Sequence, residues 1–159
     1  MKKNYTTYRK WRLFNDMIEM SVPTDFNEYN FPNDSVQYEM PEENALWTNG
    51  QGDAAAIFRI EENSREIQDI IQIIKGQLVT EKSTLKNIGF YSRTSNNIAQ
   101  VMSEDELYCG EEGIYIISCV SKYEDLCYMV YQLGIPDRKT VIKERMLYML
   151  DSIHFNKEI

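Results

Sequence analysis

The residues that could act as nucleophiles or soft metal ligands are few and widely spaced. The chain has one histidine, His154, and three cysteines, Cys109, Cys119 and Cys127. A Cys–His pair must meet in space to react, and a zinc site needs about four ligands of this kind. The cysteines lie in or near predicted strands, with no helix N-terminus to lower a thiol pKa. We therefore predict reduced core thiols and a histidine at the end of the last helix, with no catalytic residue, metal or cofactor.

Clustered carboxylates form a second group of candidates. The pairs Glu42-Glu43, Glu61-Glu62 and Glu111-Glu112 and the triplet Glu104-Asp105-Glu106 could hold a cation or supply an acid/base pair. None of them has the alternating spacing of a calcium-binding EF-hand loop. The sequence therefore favours solvated loop charge at all four places.

The segment Asn49-Gly50-Gln51-Gly52-Asp53 has the glycine content of a phosphate-binding loop. Such loops follow a strand and open a helix, and a P-loop also carries a lysine. This segment precedes a predicted strand and contains no lysine. We predict a turn.

The strongest candidate surface is the stretch from Asp25 to Trp47, where aromatic side chains alternate with carboxylates. Residues 13–69 contain thirteen acidic residues and only two arginines. Opposite charge speeds the encounter with a basic partner, and aromatic anchors supply much of the affinity. The alternative is a packed connection whose aromatic side chains fill the edge of a sheet. The predicted partner-binding residues are Asp25, Glu28, Tyr29, Phe31, Asp34, Tyr38, Glu39, Glu42, Glu43 and Trp47.

Length and composition are those of an ordinary folded domain. The 159 residues, 43% of them hydrophobic, predict a single domain spanning 1–159. The net charge of −8 argues against a nucleic-acid partner, because phosphate binding requires a basic stripe. We find no apolar run of the roughly 18 residues that a membrane span needs and no signal-peptide pattern at the start. The expected location is therefore cytoplasmic.

The first half predicts strands and one helix. Residues 5–14 and 17–23 alternate like strands around a turn at Asn15-Asp16, and residues 54–62 form a further strand. A short strand is also expected at Ser35–Met40. Asn63, with Glu66 three residues later, is compatible with a helix capping box. The helix itself is indicated by an apolar stripe with a 3.6-residue period at Ile67, Ile70, Ile71, Ile74 and Leu78.

The second half predicts a meander of strands and a closing helix. A strand is predicted to begin at Asn87, and a turn follows at residues 94–97. Next, IAQVM at residues 98–102 could be a strand, and residues 103–113 resemble an acidic loop. Residues 114–120 and 127–133 have the β-branched and aromatic content of paired strands. Asp137 is a candidate N-cap for a helix running to about residue 153. Its apolar stripe is Ile142, Met146, Met149, Leu150 and Ile153.

The order of these segments, together with the phrases IEMSVPTDF, WTNGQGDAAAIFRI, NIGFYSR and MLDSIHF, resembles the PsbP-like superfamily. Its members include DcrB-type, LpqN-type and Mog proteins. The resemblance implies an α/β/α or α+β sandwich around an antiparallel sheet, in a superfamily of adaptors, chaperones and lipoproteins rather than enzymes. One DcrB-like branch resembles chaperones for effectors of contact-dependent secretion. The chain departs from the lipoproteins by having no lipobox cysteine near its start.

The sequence thus predicts an α+β fold with a central, largely antiparallel sheet flanked by two main helices. The leading functional hypothesis is a non-enzymatic, cytoplasmic protein-binding module, such as a bacterial chaperone, adaptor or immunity partner of a secreted protein. A second hypothesis is a small-molecule or lipid carrier with a pocket between sheet and helix lined by Met and Tyr. A hydrolase or redox enzyme that uses Cys or carboxylates is the third.

Overall fold

The computed structural model describes residues 6–29, 45–61 and 65–156. A 3₁₀ turn at Pro136–Arg138 leads into the second of two helices. In chain order the strands and helices are β1 (Tyr8–Leu13), β2 (Ile18–Pro23), β3 (Asn27–Glu28), β4 (Ala45–Thr48), β5 (Ala54–Ile60), α1 (Ile67–Leu78), β6 (Thr84–Ser95), β7 (Ile98–Cys109), β8 (Glu112–Tyr123), β9 (Leu126–Gly134), α2 (Lys139–Asp151) and β10 (His154–Phe155).

The strands form two antiparallel sheets. The larger has seven strands in the order β3-β4-β5-β9-β8-β7-β6, and the smaller has three in the order β1-β2-β10. Strands β6 to β9 follow one another as hairpins, and the β6–β7 turn uses Asn96 and Asn97 with positive φ. Paired left-handed residues match the right-handed twist of a two-residue hairpin, and asparagine tolerates this conformation.

Side chains alternate between the two faces of the seven-stranded sheet. Along β8, Tyr115 and Ile117 pack in one hydrophobic cluster with α2, whereas Val120 packs in another with α1. This period of two is the ordinary consequence of strand pleating. We call the two sides the α2 face and the α1 face.

The α2 face is covered by α2 and the three-stranded sheet together. Four of the five predicted stripe residues lie on α2, and Ile153 is buried just beyond the helix end. Full burial of each such side chain stabilises the fold by about 1.5–3 kcal/mol. The fully buried stripe residues are Ile142, Met146, Met149, Leu150 and Ile153. Strand β2 adds Ile18, Met20 and Val22 to the same core, as its alternation predicted.

The α1 face has a single helix above it. Ile70 and Ile71 are buried against Val120 and Met129, whereas Leu78 at the end of α1 is exposed. Helix α1 packs on β7 and β8, whereas Phe58 of β5 and Tyr131 and Leu133 of β9 remain half-buried on this face. The coverage of this face is therefore partial.

The α+β class and the antiparallel sheet are confirmed, but the predicted arrangement of one sheet flanked by two helices is inexact. The opening hairpin does not join the central sheet. Strand β2 pairs with β10 through His154↔Glu19 and Phe155↔Ile18, which closes a separate sheet on the α2 face. Since β10 is two residues long, its sequence carries no strand periodicity that could have predicted this pairing.

The acidic loop predicted at residues 103–113 is wrong for most of its length. Residues 103–109 continue β7, and Ser103, Glu104 and Asp105 are buried. Clustered carboxylates usually indicate solvent exposure. Here they alternate onto opposite faces of the sheet, where each meets a lysine.

The predicted helix caps are also corrected. Helix α1 begins after Glu66, which makes no side-chain capping bond, and Asn63 lies outside the described residues. Asp137 lies inside the 3₁₀ turn, and Arg138 precedes α2 without a side-chain cap. His154 is in β10 and not at the helix end, because the helix stops at Asp151.

Candidate functional site

Two neighbouring carboxylates on β7 form the polar centre of the molecule. Glu104 and Asp105 are 9% and 2% exposed, and their side chains lie on opposite faces of the sheet. Each forms an ion pair with a lysine of the helix on its own face, Lys143 of α2 and Lys75 of α1. Strand β7 is therefore tied electrostatically to both helices.

The pair on the α1 face is buried on both sides. Lys75 Nζ lies 3.1 Å from Asp105 Oδ1, with the two side chains 9% and 3% exposed. Asn87 Nδ2 donates to Asp105 Oδ1 at 3.0 Å, and the Ser103 hydroxyl donates to Asp105 Oδ2 at 2.7 Å. The carboxylate thus accepts from three donors, which offsets much of its desolvation.

The pair on the α2 face opens toward solvent at its lysine. Tyr115 Oη donates to Glu104 Oε1 at 2.6 Å, and Lys143 Nζ lies 3.1 Å from Glu104 Oε2. Burial alone would raise the pKa of Glu104, but hydrogen bonds from Tyr115 and Lys143 outweigh it and lower the pKa. Burial, and then the neighbouring Glu104, raise the pKa of Tyr91 to about 12.

A pocket of about 230 Å³ lies between the C-terminal half of α1 and the sheet. We call it the α1 pocket. Its walls are mostly apolar, and the polar groups are the Lys75–Asp105 ion pair and the hydroxyls of Ser118 and Tyr131. The apolar and aromatic lining residues are Phe58, Ile74, Leu78, Ile116, Met129, Tyr131 and Leu133.

Other concavities in the described residues are more open or more polar. One of about 560 Å³ lies at the β8–β9 turn and is bordered by Arg59, Glu124 and Asp125. Another of about 580 Å³ is bordered by Ile114 and Ile135, which are 40% and 51% exposed. Ligand sites are usually concave and apolar with a few placed polar groups, and the α1 pocket fits that description best.

The signals for the α1 pocket were present in the sequence but were not recognised. Lys75 follows Ile67 and Ile71 at intervals of four, so it falls on the apolar stripe of α1. A lysine in such a stripe indicates a buried partner. That partner is Asp105, for which the local sequence predicts a solvated loop.

Four of the ten predicted partner-binding residues lie in the described part of the chain. Asp25 is exposed but engaged by Arg145 Nη1, which lies 3.0 Å from both of its carboxylate oxygens. Trp47 is fully buried in the core of the α2 face. Glu28 and Tyr29 are exposed at the β3 edge of the larger sheet.

The other six predicted residues lie outside the described residues, as does the short strand expected at Ser35–Met40. The six are Phe31, Asp34, Tyr38, Glu39, Glu42 and Glu43.

The glycine-containing segment forms a turn, as predicted. Asn49 Oδ1 accepts backbone hydrogen bonds from Gln51 and Asp53 at 3.0 and 2.9 Å. Asp53 is 1% exposed and accepts from Arg138 Nε and Nη2, with Nη2 at 2.7 Å from its Oδ2. The Asp53–Arg138 contact thereby joins this turn to the start of α2, so the role of the turn is structural.

The cysteines divide by exposure. Cys119 and Cys127 are buried on the α2 and α1 faces, whereas Cys109 is exposed, and all three are free thiols. Burial raises the pKa of Cys119 to about 12, which opposes thiolate formation. Within residues 6–29, 45–61 and 65–156 no group of three His, Cys, Asp or Glu side chains is arranged to hold a metal.

Comparison with solved structures identifies the architecture. The chain superposes on cyanobacterial PsbP (CyanoP) from Synechocystis sp. PCC 6803 with a TM-score of 0.68, at 10% identity, over 96% of this chain and 95% of that one. This is the PsbP-like fold. The same fold is seen in PA94 from Pseudomonas aeruginosa, a protein of unknown function, with a TM-score of 0.58, 8% identity and coverage of 95% and 99%.

A third PsbP-like structure is LpqN of Mycobacterium tuberculosis, which is involved in cell envelope biogenesis. Its TM-score is 0.54 at 8% identity, over 97% of this chain and 93% of that one. No protein-family model and no curated protein matches the chain. These structures confirm the predicted PsbP-like fold. No helix in the described part of the chain is both long and apolar enough to cross a membrane.

Proposed function

We propose that this PsbP-like chain is a non-enzymatic binding protein that holds a small, largely apolar ligand in the α1 pocket. The observation that carries the proposal is an apolar pocket with a buried ion pair in its wall. Protein interiors are normally packed to the density of organic crystals, and lining atoms that face a gap lose dispersion contacts. A ligand would restore those contacts. This is the carrier hypothesis, with Met129 and Tyr131 as the Met and Tyr of the lining.

The volume limits the size of the ligand. A water molecule occupies roughly 30 Å³ of liquid, so the pocket holds about eight water-sized groups. Drug-sized ligands usually occupy about 300–1,000 Å³. The ligand class is therefore a small molecule with a chain of about seven carbons, or the end of a longer chain that emerges past Leu78.

Methionine methyl NMR tests this proposal at the site itself. With ¹³C-methyl methionine labelling, we expect 2-heptanone to shift the Met129 resonance in a saturable way and to leave Met146, in the α2-face core, unchanged. Saturable shifts at Met146 without any at Met129, or no saturable shift at either, would refute the proposal.

A matched pair of variants on α1 separates the pocket from the rest of the helix. Leu78→Trp places a large ring at the pocket mouth, whereas Ile73→Trp adds the same ring to an exposed position that does not line it. We expect the first variant to weaken 2-heptanone binding about tenfold and the second to leave it unchanged. Mass spectrometry of solvent extracts from the purified protein should also identify any co-purifying ligand, which Leu78→Trp should deplete.

A second proposal retains the protein-binding hypothesis, as a chaperone, adaptor or immunity partner in the bacterial cytoplasm. The exposed Glu28 of β3 and the exposed Tyr29 that follows it support this proposal, because they place an acidic and an aromatic side chain at the same sheet edge. The test is a pull-down from the native host at low and high salt. We expect Glu28→Lys to weaken recovery of a basic partner and Glu112→Lys, at the exposed start of β8, to have no effect. If the amount of partner recovered is the same at low and high salt and in the Glu28→Lys variant, the proposed binding surface is refuted.

A further inference from the structure

Lys75 has more hydrogen-bond donors than the described protein supplies acceptors for. Its ammonium group carries three N–H bonds. Among the residues that the structure describes, Asp105 is its one acceptor, and the Phe90 ring lies 5.7 Å from Nζ as a cation–π neighbour. The side chain is 9% exposed, so little bulk water reaches the remaining donors.

Asp105, in contrast to Lys75, already has its hydrogen-bonding capacity largely filled. Its two oxygens already accept from Lys75, Asn87 and Ser103. Because Lys75 and Asp105 both line the α1 pocket, the ion pair offers a donor to an occupant far more readily than an acceptor, whereas the hydroxyls of Ser118 and Tyr131 can act as either. The group that complements the ion pair is a hydrogen-bond acceptor.

Charge decides which kind of acceptor fits. Lys75 and Asp105 are the charged residues that line the pocket, and they neutralise each other, while burial raises the pKa of Tyr131 and keeps its hydroxyl neutral. A carboxylate ligand would bring a second anion to a lysine whose charge is already balanced, and it would leave a net negative charge among apolar side chains. Desolvating an uncompensated charge is costly, whereas a neutral carbonyl or hydroxyl oxygen loses far less hydration.

We propose, building on the proposed function, that the α1 pocket selects neutral amphiphiles: an apolar chain that ends in a carbonyl or hydroxyl oxygen, hydrogen-bonded to Lys75. Aliphatic ketones, esters, amides and alcohols belong to this class, and free fatty acids do not. The apolar chain lies against Ile116, Met129 and Tyr131. The oxygen lies at the ion pair.

Three ligands of matched chain length test the selection on the unmodified protein. The probes are 2-heptanone, heptanoate at pH 8 and heptane, each titrated while the Met129 methyl resonance is followed. We expect 2-heptanone to bind at least about tenfold more tightly than heptanoate and several-fold more tightly than heptane, as one hydrogen bond to a charged donor implies.

The outcomes distinguish this inference from the proposed function. Equal or tighter binding of heptanoate, or equal binding of heptane and 2-heptanone, overturns the neutral-acceptor selection while leaving an apolar ligand site. Failure of all three probes to move the Met129 resonance overturns both proposals.

Two substitutions test the role of the ion pair. Lys75→Met removes the donor, so heptane and 2-heptanone should bind with similar affinity. Asp105→Asn removes the counter-charge and leaves Lys75, so the order should reverse and heptanoate should bind more tightly than 2-heptanone. Retention of the original order in a folded Asp105→Asn protein would refute the charge argument. If either variant fails to fold, the three-ligand series on the unmodified protein decides.

Discussion

The two faces of the seven-stranded sheet are built from similar helices but reach different degrees of closure. On the α2 face, a thirteen-residue helix and a three-stranded sheet together bury side chains such as Met146 completely. On the α1 face, a single twelve-residue helix covers the sheet, and Phe58 and Tyr131 remain half-buried beside a pocket. The difference separates the face that stabilises the fold from the face that is available to a ligand.

The adjacent carboxylates of β7 repeat this contrast in electrostatics. Asp105 and Lys75 are enclosed together on the α1 face, whereas the lysine that pairs with Glu104 on the α2 face is 43% exposed. The better-packed face thus carries the more solvated ion pair, and the less packed face carries the more buried one. This inversion is the reason to connect Lys75 with ligand recognition and not with stability alone.

The largest effect is expected from the same truncation made on each helix. Ile142→Ala in α2 removes a fully buried side chain, and we expect the free energy of unfolding to fall by about 4 kcal/mol. Ile74→Ala in α1 removes a half-buried side chain next to an existing pocket and should cost about 1 kcal/mol. Urea denaturation followed by circular dichroism measures both. Equal losses would show that the two faces are packed alike.

Removing each helix lysine in turn should give a smaller difference. Lys75→Met leaves a buried Asp105 without its cation and should destabilise the protein by about 3 kcal/mol, as expected for a broken buried pair. Lys143→Met breaks a pair whose lysine is partly solvated, so the loss should be under about 1 kcal/mol. The same urea experiment applies, and a larger loss for Lys143→Met would contradict the assigned burial.

The dependence of the free energy of unfolding on pH in the acidic range should reveal the contribution of Glu104. Because its folded pKa is lowered, the folded state releases this proton more readily than the unfolded chain, so stability is gained above the unfolded pKa of about 4.3. That contribution is lost as the pH falls from there through the folded pKa. Glu104→Gln should flatten this part of the profile, measured by urea midpoints from pH 7 to pH 3. Glu112→Gln, at the exposed start of β8, is the matched control and should retain the pH dependence.

The smallest effect is a difference in thiol reactivity between the faces. Cys109 should react with a thiol reagent at once, because it is exposed. Among the two buried thiols, Cys127 under α1 should react about tenfold faster than Cys119, corresponding to an opening free energy about 1.4 kcal/mol lower. Mass spectrometry of tryptic peptides gives the rates. Faster labelling of Cys119 would indicate that the α2 face opens first.

The sequence predicted what depends on local periodicity. The β1–β2 and β8–β9 hairpins and the stripe from Ile142 to Ile153 follow from alternation and from the 3.6-residue repeat, and all are present. The pairing of β2 with β10 was not predictable in this way, because it joins residues more than 130 positions apart through a two-residue strand.

The candidate site was harder to predict than the fold for a definite physical reason. The charge of Asp105 in a buried strand is balanced by Lys75, which reaches it from a helix thirty residues earlier. The charge of Asp105 and of its sequence neighbours, taken alone, predicts a solvent-exposed loop. The stretch from Asp25 to Trp47, by contrast, has the composition of a binding surface, although Trp47 is a core residue and Asp25 is held by Arg145.

The uninterrupted meander from β6 to β9 has a consequence for how the molecule folds. Each of these strands pairs with the next through a short turn, so the four-stranded unit needs little loop-closure entropy to form. The pairing of β5 with β9 closes a far longer loop, joining Ala54 to Leu133. Pulsed amide exchange during refolding should therefore protect the meander first. The part of the α1 pocket wall that β5 contributes should form later. The ligand would therefore bind after most of the sheet has formed.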